Sequence, residues 1–193
     1  EGSDTGAASP AVAGAVDGNG WECLSPAGVE TGIFATLGAS PVVMDFTEVC
    51  TAMETGIIEG TVYSGLANNQ SIGLFDLAQH ATYPGFHSMP SDHLACNKTV
   101  WDGLTDAQRG ILTSAMDSLA MKLVMNTLVQ SGEAVTALPD QGVTLHDWSA
   151  EDRAAFRAAA IGRWDEWAQK SPATQQLVDS HKAFISRIGL GTD

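Results

Sequence analysis

Aromatic and polar side chains stand at the ends of two predicted strands, where α/β proteins usually bind their ligands. Phe46 follows an apolar run at 41–44, and Tyr63 lies near the end of a second strand predicted over 60–64. Asn68 comes soon afterwards and offers a side-chain amide that both donates and accepts hydrogen bonds. Ligands of open α/β sheets gather at the carboxyl ends of the strands. We therefore expect these three residues to line a binding site.

Three histidines form a second candidate group, because imidazole is a common ligand of zinc. His80, His87 and His93 are spaced seven and six residues apart, with Asp76 and Asp92 nearby. Zinc takes three or four His, Cys or carboxylate ligands, but catalytic zinc sites often contain a closer His pair. A metal-dependent enzyme that uses this region is the alternative function. The competing structural interpretation is a loop whose aromatic side chains pack under the sheet, and it assigns no metal ligand.

The remaining motifs predict no catalytic residue. Ser64-Gly65 lacks the leading glycine of the G-x-S-x-G nucleophile motif. No glycine-rich phosphate loop is present either, since neither Lys nor Ser follows Gly38 in the required register. Glu48 is explained as a residue of a first helical turn and Glu59 as a solvated acid at a strand edge. The sequence therefore favours binding over catalysis.

The elements that must position these residues follow a strand–helix–strand pattern. A helix is predicted to end at Gly38, where a left-handed backbone conformation costs a glycine nothing. A buried strand follows, and Asp45 or Thr47 is suited to cap the next helix. The strand over 60–64 completes the unit. This order predicts an α/β fold with a mixed β-sheet flanked by helices.

The second half of the chain is predicted to be mainly helical. Thr105 and Gln108 form a capping box that opens a long helix, and the apolar rows of this helix pack on the sheet or bridge two lobes. The other predicted elements are strands at 21–25, 94–96 and 143–145 and helices at 68–79, 149–169 and 171–189.

Charge and composition limit the classes of partner. The 193 residues contain 9 basic and 23 acidic side chains, and the net charge of −14 opposes binding to nucleic acid or to anionic membranes. No Lys or Arg precedes Lys98, so an anion bound by the first half needs backbone N–H groups, hydroxyls, amides, a metal or a residue from elsewhere. The three cysteines lack metal-type spacing, and a disulfide between two of them stays open.

Two long stretches carry a family resemblance. The segment LGASPVVMDFTEVCTAMETGIIEG and the segment YPGFHSMPSDHLACNKTVWDGLTDAQRGIL resemble the solute-binding proteins of TRAP (tripartite ATP-independent periplasmic) transporters. Those proteins have a Gly-Ala-x-Pro turn, a strand ending in Phe or Trp, then Ser/Thr-Glu-Val-Tyr-x-Ala-Leu and Gly-Val-Val-Asp-Gly. The resemblance covers roughly residues 20–190. The second half is most similar to the branch that binds 2-oxo acids, which carries a Pro-Gly-Trp-His segment.

The resemblance implies a fold, a function and a location. The chain would be the C-terminal part of a two-lobed periplasmic solute-binding protein with a long lobe-bridging helix. Residues 21–193 would be the C-terminal portion, with the first lobe largely missing. The small side chains of residues 1–20, without an aromatic residue, predict a flexible tail or remnant. The protein would capture a small organic solute, a carboxylate by analogy, for membrane permease subunits. A homodimer stays open because the family includes monomers and helix-swapped dimers, and so does a structural or interaction fragment that binds nothing.

The resemblance also assigns roles to single residues. Phe46 matches a position whose ring packs on the ligand, and Tyr63 matches an Asn or Trp that contacts it. Phe86 and His87 match the Pro-Gly-Trp-His segment, which lies close to the cleft in the 2-oxo acid branch. These four residues, together with Asn68, are the predicted ligand-binding set.

Two positions depart from the family pattern. Leu24 stands where the family has an Arg that clamps the ligand carboxylate. Val62 stands where the family usually has a Glu, which helps to hold a cation in the 2-oxo acid branch. The expectation is therefore that no cofactor is needed and that the cation site is lost or moved.

Overall fold

A single β-sheet forms the centre of the molecule in the computed structural model, which describes residues 3–8, 14, 20–25, 27–85, 87–88 and 94–189. The strands are β1 (Ser3–Ala8), β2 (Glu22–Leu24), β3 (Ser40–Val42), β4 (Gly60–Ser64), β5 (His80–Thr82), β6 (His87–Ser88) and β7 (Thr144–His146). Their order across the sheet is β3-β2-β4-β1-β5-β7, and β6 pairs with β1 beyond this path.

The sheet is mixed because one central strand runs against all the others. β2 pairs in parallel with β3 and β4, and β5 pairs in parallel with β7. β1 lies between β4 and β5 and is antiparallel to both. The predicted α/β class with a mixed sheet is confirmed. The expectation of a flexible tail over residues 1–20 does not hold for residues 3–8, which form this central strand, and the domain division at residue 20 stays a prediction.

Helices cover both faces of the sheet. They are α1 (Val29–Thr36), α2 (Val49–Glu54), α3 (Leu66–Ser71), α4 (Leu74–Leu77), α5 (Lys98–Gly103), α6 (Asp106–Ala137), α7 (Ala150–Ala168) and α8 (Pro172–Arg187). Short 3₁₀ turns occur at Phe46–Glu48 and Pro139–Gln141. No helix in the described ranges is both long enough and apolar enough to cross a lipid bilayer.

Local capping signals in the sequence determine where several helices begin and end. The side chain of Ser149 accepts a hydrogen bond from the backbone N–H of Asp152 at the start of α7. Thr105 and Gln108 form the predicted capping box of α6. The helix predicted over 68–79 is instead two helices, because Gly73 adopts a left-handed conformation with φ of 76° between α3 and α4.

The core is divided by the sheet into two layers. Under α1 and α7, Trp21, Phe34 and Phe156 form an aromatic cluster that also contains Val62. The opposite face packs against α2, α3, α4 and the C-terminal end of α6. Two hydrophobic clusters lie on this side, one around Leu74 and one around Ile58, and Tyr63 contacts both of them. Alternation along β4 therefore turns the side chains of Val62 and Tyr63 to opposite faces.

One prediction about the segment around α6 needs correction, and one of the two alternatives for α6 loses support. Residues 94–96 are exposed and form no strand, and the side chain of Leu94 is 59% exposed. An apolar run therefore did not indicate burial there. α6 is 32 residues long, or about 48 Å, but only Ser131 and Ala134 within it are buried. Most of its apolar rows do not pack on the described part of the sheet.

Candidate functional site

The carboxyl ends of five strands meet at one edge of the sheet. β2, β3, β4, β5 and β7 all run in the same direction, so their last residues lie along this edge. The N-terminal end of the antiparallel strand β1 also lies at this edge, where it pairs with β6. We call this boundary the C-terminal edge. The topology therefore brings Phe46, Tyr63, Asn68 and His87 to the C-terminal edge.

Phe46 and Tyr63 form an aromatic pair at this edge. Their ring centroids are 5.1 Å apart with an interplanar angle of 87°, an edge-to-face contact. The side chain of Tyr63 is half-buried against the core, whereas Phe46 is 38% exposed. A half-buried ring thus supports a second ring that is partly exposed to solvent, which suits contact with a small organic molecule.

Asp45 fixes the backbone that carries Phe46. Its carboxylate accepts hydrogen bonds from the backbone N–H and the hydroxyl of Thr47, at 2.9 and 2.7 Å. The hydroxyl bond, then the backbone bond, lowers the pKa of Asp45 because both favour the ionised carboxylate. Asp45 therefore caps the 3₁₀ turn Phe46–Glu48, whereas α2 begins after Glu48 without a side-chain cap. The prediction that Asp45 or Thr47 caps the helix holds only for Asp45 and for this preceding turn.

Two asparagines in α3 have different surroundings. The side chain of Asn68 is exposed, and its Nδ2 donates to Oγ of Ser64 at 3.0 Å. Asn69 is fully buried and donates to the backbone carbonyl of Ser64 at 2.9 Å. Gly65 is the N-cap of α3, which places Asn69 inside the helix. Asn68 is left as an amide near the edge that a ligand can reach.

Of the two loop residues predicted to contact a ligand, Phe86 and His87, the structure places the backbone of His87 at the C-terminal edge. His87 pairs with Asp4 in the short contact between β6 and β1. Phe86 and His93 lie outside the described residues. The ligand contacts assigned to Phe86 and His87 therefore stay predictions.

The two positions that depart from the family pattern are both buried and apolar. Leu24 is 1% exposed and lies in the cluster that Tyr63 contacts, together with Val49 and Ile58. Val62 is equally buried but faces the aromatic cluster under α7. Neither side chain offers a charge or a metal ligand.

The histidine suggested as a metal ligand has a different partner. Nδ1 of His80 and Nε2 of His146 are 2.9 Å apart, and both side chains are half-buried between β5 and β7. Burial, and then the neighbouring His80, lowers the pKa of His146. Among the residues that the structure describes, no three His, Cys, Asp or Glu side chains are grouped as a metal site. Sequence reasoning missed this pair, since only the pairing of β5 with β7 brings the residues together.

The three cysteines form no disulfide with one another. Cys23, Cys50 and Cys96 are all free thiols. Burial, with a smaller contribution from Glu30, raises the pKa of Cys23 to about 12, which keeps its thiol protonated and unreactive.

Arg153 is a second residue that the sequence analysis missed. It lies in the first turn of α7 and donates to the backbone carbonyls of Trp148, Pro84 and Gly85. Its guanidinium also forms an ion pair with Asp147. The ends of β5 and β7 at the C-terminal edge are therefore connected through one side chain.

Known proteins resemble this chain over most of its length. The family model described as bacterial extracellular solute-binding protein, family 7, matches residues 24–171. The C4-dicarboxylate-binding periplasmic protein of Rhodobacter capsulatus is 32% identical over 135 residues, which are 69% of this chain and 40% of that protein. A monocarboxylate 2-oxoacid-binding periplasmic protein of Nostoc sp. is 26% identical over 157 residues, which are 81% of this chain and 43% of that protein.

A solved structure matches the fold as well as the sequence. The open apo structure of a TRAP periplasmic solute-binding protein from Rhodobacter sphaeroides is 33% identical, with a TM-score of 0.78. The match covers 98% of this chain and 61% of that one. The chain thus spans less than half the length of the two curated relatives and about three-fifths of the solved structure. Its sheet and helices correspond to part of a two-lobed fold.

Proposed function

Because the chain belongs to the family 7 bacterial extracellular solute-binding proteins, we propose that it binds a small organic carboxylate in the periplasm for a TRAP transporter. The bound solute would be passed to membrane permease subunits. The observation that carries this proposal is the aromatic pair at the C-terminal edge, where Phe46 presents an exposed ring supported by Tyr63. Two relatives named for binding C4-dicarboxylates and 2-oxo acids support the choice of carboxylates.

The solute would be held without a guanidinium from the first half of the chain. Leu24 occupies the position of the family's Arg, and no Lys or Arg precedes Lys98. We infer that the hydroxyl of Tyr63 and the amide of Asn68 supply hydrogen bonds to the carboxylate, assisted by His87. Phe86 completes the proposed ligand-binding set. Uncharged donors bind a carboxylate less strongly than a bidentate Arg, so a modest affinity is expected.

The proposed role is binding without catalysis and without a cofactor or bound cation. Val62 removes the carboxylate that would hold a cation in the 2-oxo acid branch, and it faces the core. The competing metal-dependent enzyme would need His80, which contacts His146 instead. The relatives are named as binding proteins, which also supports this choice.

The exposed side chains of α6 support its proposed role as a lobe-bridging helix. Apolar residues over 106–129 of this helix, including Ile111 and Val124, are exposed in the described chain. In a complete two-lobed protein the second lobe would cover them, and a homodimer would be the competing way to bury them. Sedimentation velocity of the chain between 1 and 100 µM, on the order of common dimer dissociation constants, distinguishes a monomer from a dimer.

A thermal-shift screen of this chain tests the proposed function. The compounds are 2-oxo acids, hydroxy acids, C4-dicarboxylates and sulfonates, each with and without divalent cations. A ligand that binds only the folded state must raise the melting temperature. We expect a 2-oxo acid such as pyruvate or a dicarboxylate such as succinate to raise it without added cation. A cooperative melt that none of the compounds shifts would overturn the proposal for this chain.

A further inference from the structure

Arg153 connects the two strand ends that lie farthest from Phe46 along the C-terminal edge. We propose that Arg153 is a positioning residue of the solute site, which sets the backbone from Tyr83 to Gly85 and hence the approach to His87. This inference rests on the proposed function, since the positioned backbone leads to a predicted ligand contact. Arg153 would act through this backbone and would not itself touch the solute.

The guanidinium of Arg153 is held from several directions. Its Nε donates to the carbonyl of Trp148 at 3.2 Å, and its Nη2 and Nη1 donate to the carbonyls of Pro84 and Gly85 at 3.4 and 3.5 Å. Nη2 also contacts the carboxylate of Asp147. The Arg153 side chain is 29% exposed, whereas that of Asp147 is 71% exposed. The anchoring group is thus more protected than the acid that neutralises it.

The end of β5 needs such an anchor because its strand ladder stops there. The backbone N–H of Tyr83 donates to the carbonyl of His146 at 2.8 Å, beyond the last registered pair of β5 and β7. Pro84 follows directly and has no N–H to donate to a neighbouring strand. Past this point, Arg153 supplies donors from α7 to the carbonyls of Pro84 and Gly85. A planar guanidinium suits this task because its five donors point in fixed directions.

The same contacts argue against a direct role for Arg153 as the missing carboxylate clamp. Its charge is already balanced by Asp147. Neighbouring strands are about 4.8 Å apart, so β5, which ends just before the carbonyls that Arg153 binds, lies about 10 Å from β4 across β1. A solute stacked on Phe46 and Tyr63 would therefore lie beyond hydrogen-bond distance of a guanidinium held at those carbonyls.

Arg163 provides a matched control within the same helix. It is 31% exposed, donates to the carbonyl of Gly32 at 3.0 Å, and forms an ion pair with Glu166. It therefore connects α7 to α1 by the same chemistry that Arg153 uses at the edge. Replacing either residue with Lys keeps the charge and removes the planar fork. A role limited to overall stability would make the two variants behave alike.

The experiment compares Arg153→Lys with Arg163→Lys in the full chain, using hydrogen exchange and calorimetric binding of pyruvate and succinate. Losing a charge-assisted contact should speed exchange of the Tyr83, Gly85 and His87 amides about tenfold in Arg153→Lys and leave α1 unchanged. Arg163→Lys should do the reverse. The dissociation constant should rise about tenfold in Arg153→Lys and stay within about twofold of wild type in Arg163→Lys.

Each other result decides against one of the two claims. If wild type binds and Arg153→Lys binds equally well, the positioning role is wrong and the proposed function stands. If wild type binds neither of these acids nor any other compound of the thermal-shift screen, the proposed function is overturned and Arg153 is reduced to a structural contact. If circular dichroism shows that Arg153→Lys does not fold, Asp147→Asn is used instead, because it removes the ion pair of the guanidinium with a smaller change. Hydrogen exchange and calorimetric binding are then measured on that variant.

Discussion

The helical layer over the sheet and residues 106–129 of α6 have similar apolar content but opposite surroundings. Beneath α1 and α7, Phe156 lies edge-to-face with Phe34 and with Trp148, at centroid distances of 5.8 and 5.9 Å. Along α6, large apolar side chains are exposed: Ile111, Leu119, Met121, Leu123, Val124, Met125, Leu128 and Val129. Hydrophobic composition alone thus says little about what a residue contributes to stability. The contribution depends on whether another surface removes it from water.

The largest expected contrast comes from truncating one side chain in each region. Phe156→Ala should lower the free energy of unfolding by about 3–5 kcal/mol, because it leaves a cavity among packed rings. Leu119→Ala removes a side chain that is 51% exposed and should change it by less than about 0.5 kcal/mol. Urea unfolding of both variants measures the difference. A large loss in Leu119→Ala would mean that another surface covers α6 in solution.

Glycines give the next contrast, since the same substitution should have opposite signs in the two regions. Gly73→Ala forces a left-handed conformation on a residue with a Cβ and should cost about 1–2 kcal/mol. Gly110 lies inside α6 with open space where an alanine methyl group would stand, so Gly110→Ala should stabilise by about 0.5–1 kcal/mol. Melting temperatures of the two variants provide the measurement. A stabilised Gly73→Ala variant would contradict the turn between α3 and α4.

Exposed aromatic rings allow a comparison of function at equal exposure. Phe46 at the C-terminal edge is 38% exposed and Phe184 in α8 is 37% exposed. Phe46→Ala should weaken binding of pyruvate or succinate by at least about 1 kcal/mol, the scale of one aromatic contact. Phe184→Ala should leave the affinity unchanged in the same calorimetric titration, and Tyr63→Ala should resemble Phe46→Ala. If all three variants bound as tightly as the wild type, the solute would have to bind elsewhere.

The smallest expected effect is a pH dependence of the free energy of unfolding, which comes from His146 in β7. The pKa of His146 is lower in the folded state than its ordinary value of 6.5, owing to burial and then to His80. As pH falls below about 6.5, the unfolded chain takes up this proton first, so stability decreases with decreasing pH. His146→Gln should flatten this part of the curve in urea unfolding between pH 7 and 5, approximately the range in which an unperturbed His titrates. An unchanged slope would assign the dependence to other groups.

Local sequence signals predicted those features that depend on neighbouring residues. The capping box at Thr105, the cap at Ser149 and the turn at Gly38 were all read correctly, because their partners lie within a few positions. The strand–helix–strand order also predicted that Phe46 and Tyr63 would lie at the C-terminal edge. Their role in binding a solute stays a prediction.

Features that depend on distant partners could not be read from the sequence. Residues 3–8 consist mainly of small side chains without apolar alternation, so nothing marked them as a central strand. The contacts of Arg153 with Pro84 and of His80 with His146 join residues more than 60 positions apart. Residues 94–96 were misread because a short apolar run resembles a buried strand, although burial requires a covering surface.

The position of β1 has a consequence for folding cooperativity. β4 and β5 each pair with β1, and in the strand order they are not neighbours of one another. Six residues at the start of the chain therefore join β3, β2 and β4 to β5 and β7 through backbone hydrogen bonds. The partners in these pairs are separated by more than 50 positions, so this step has a high contact order and should come late in folding. Until β1 is inserted, the sheet exists as two smaller sheets with unpaired edges.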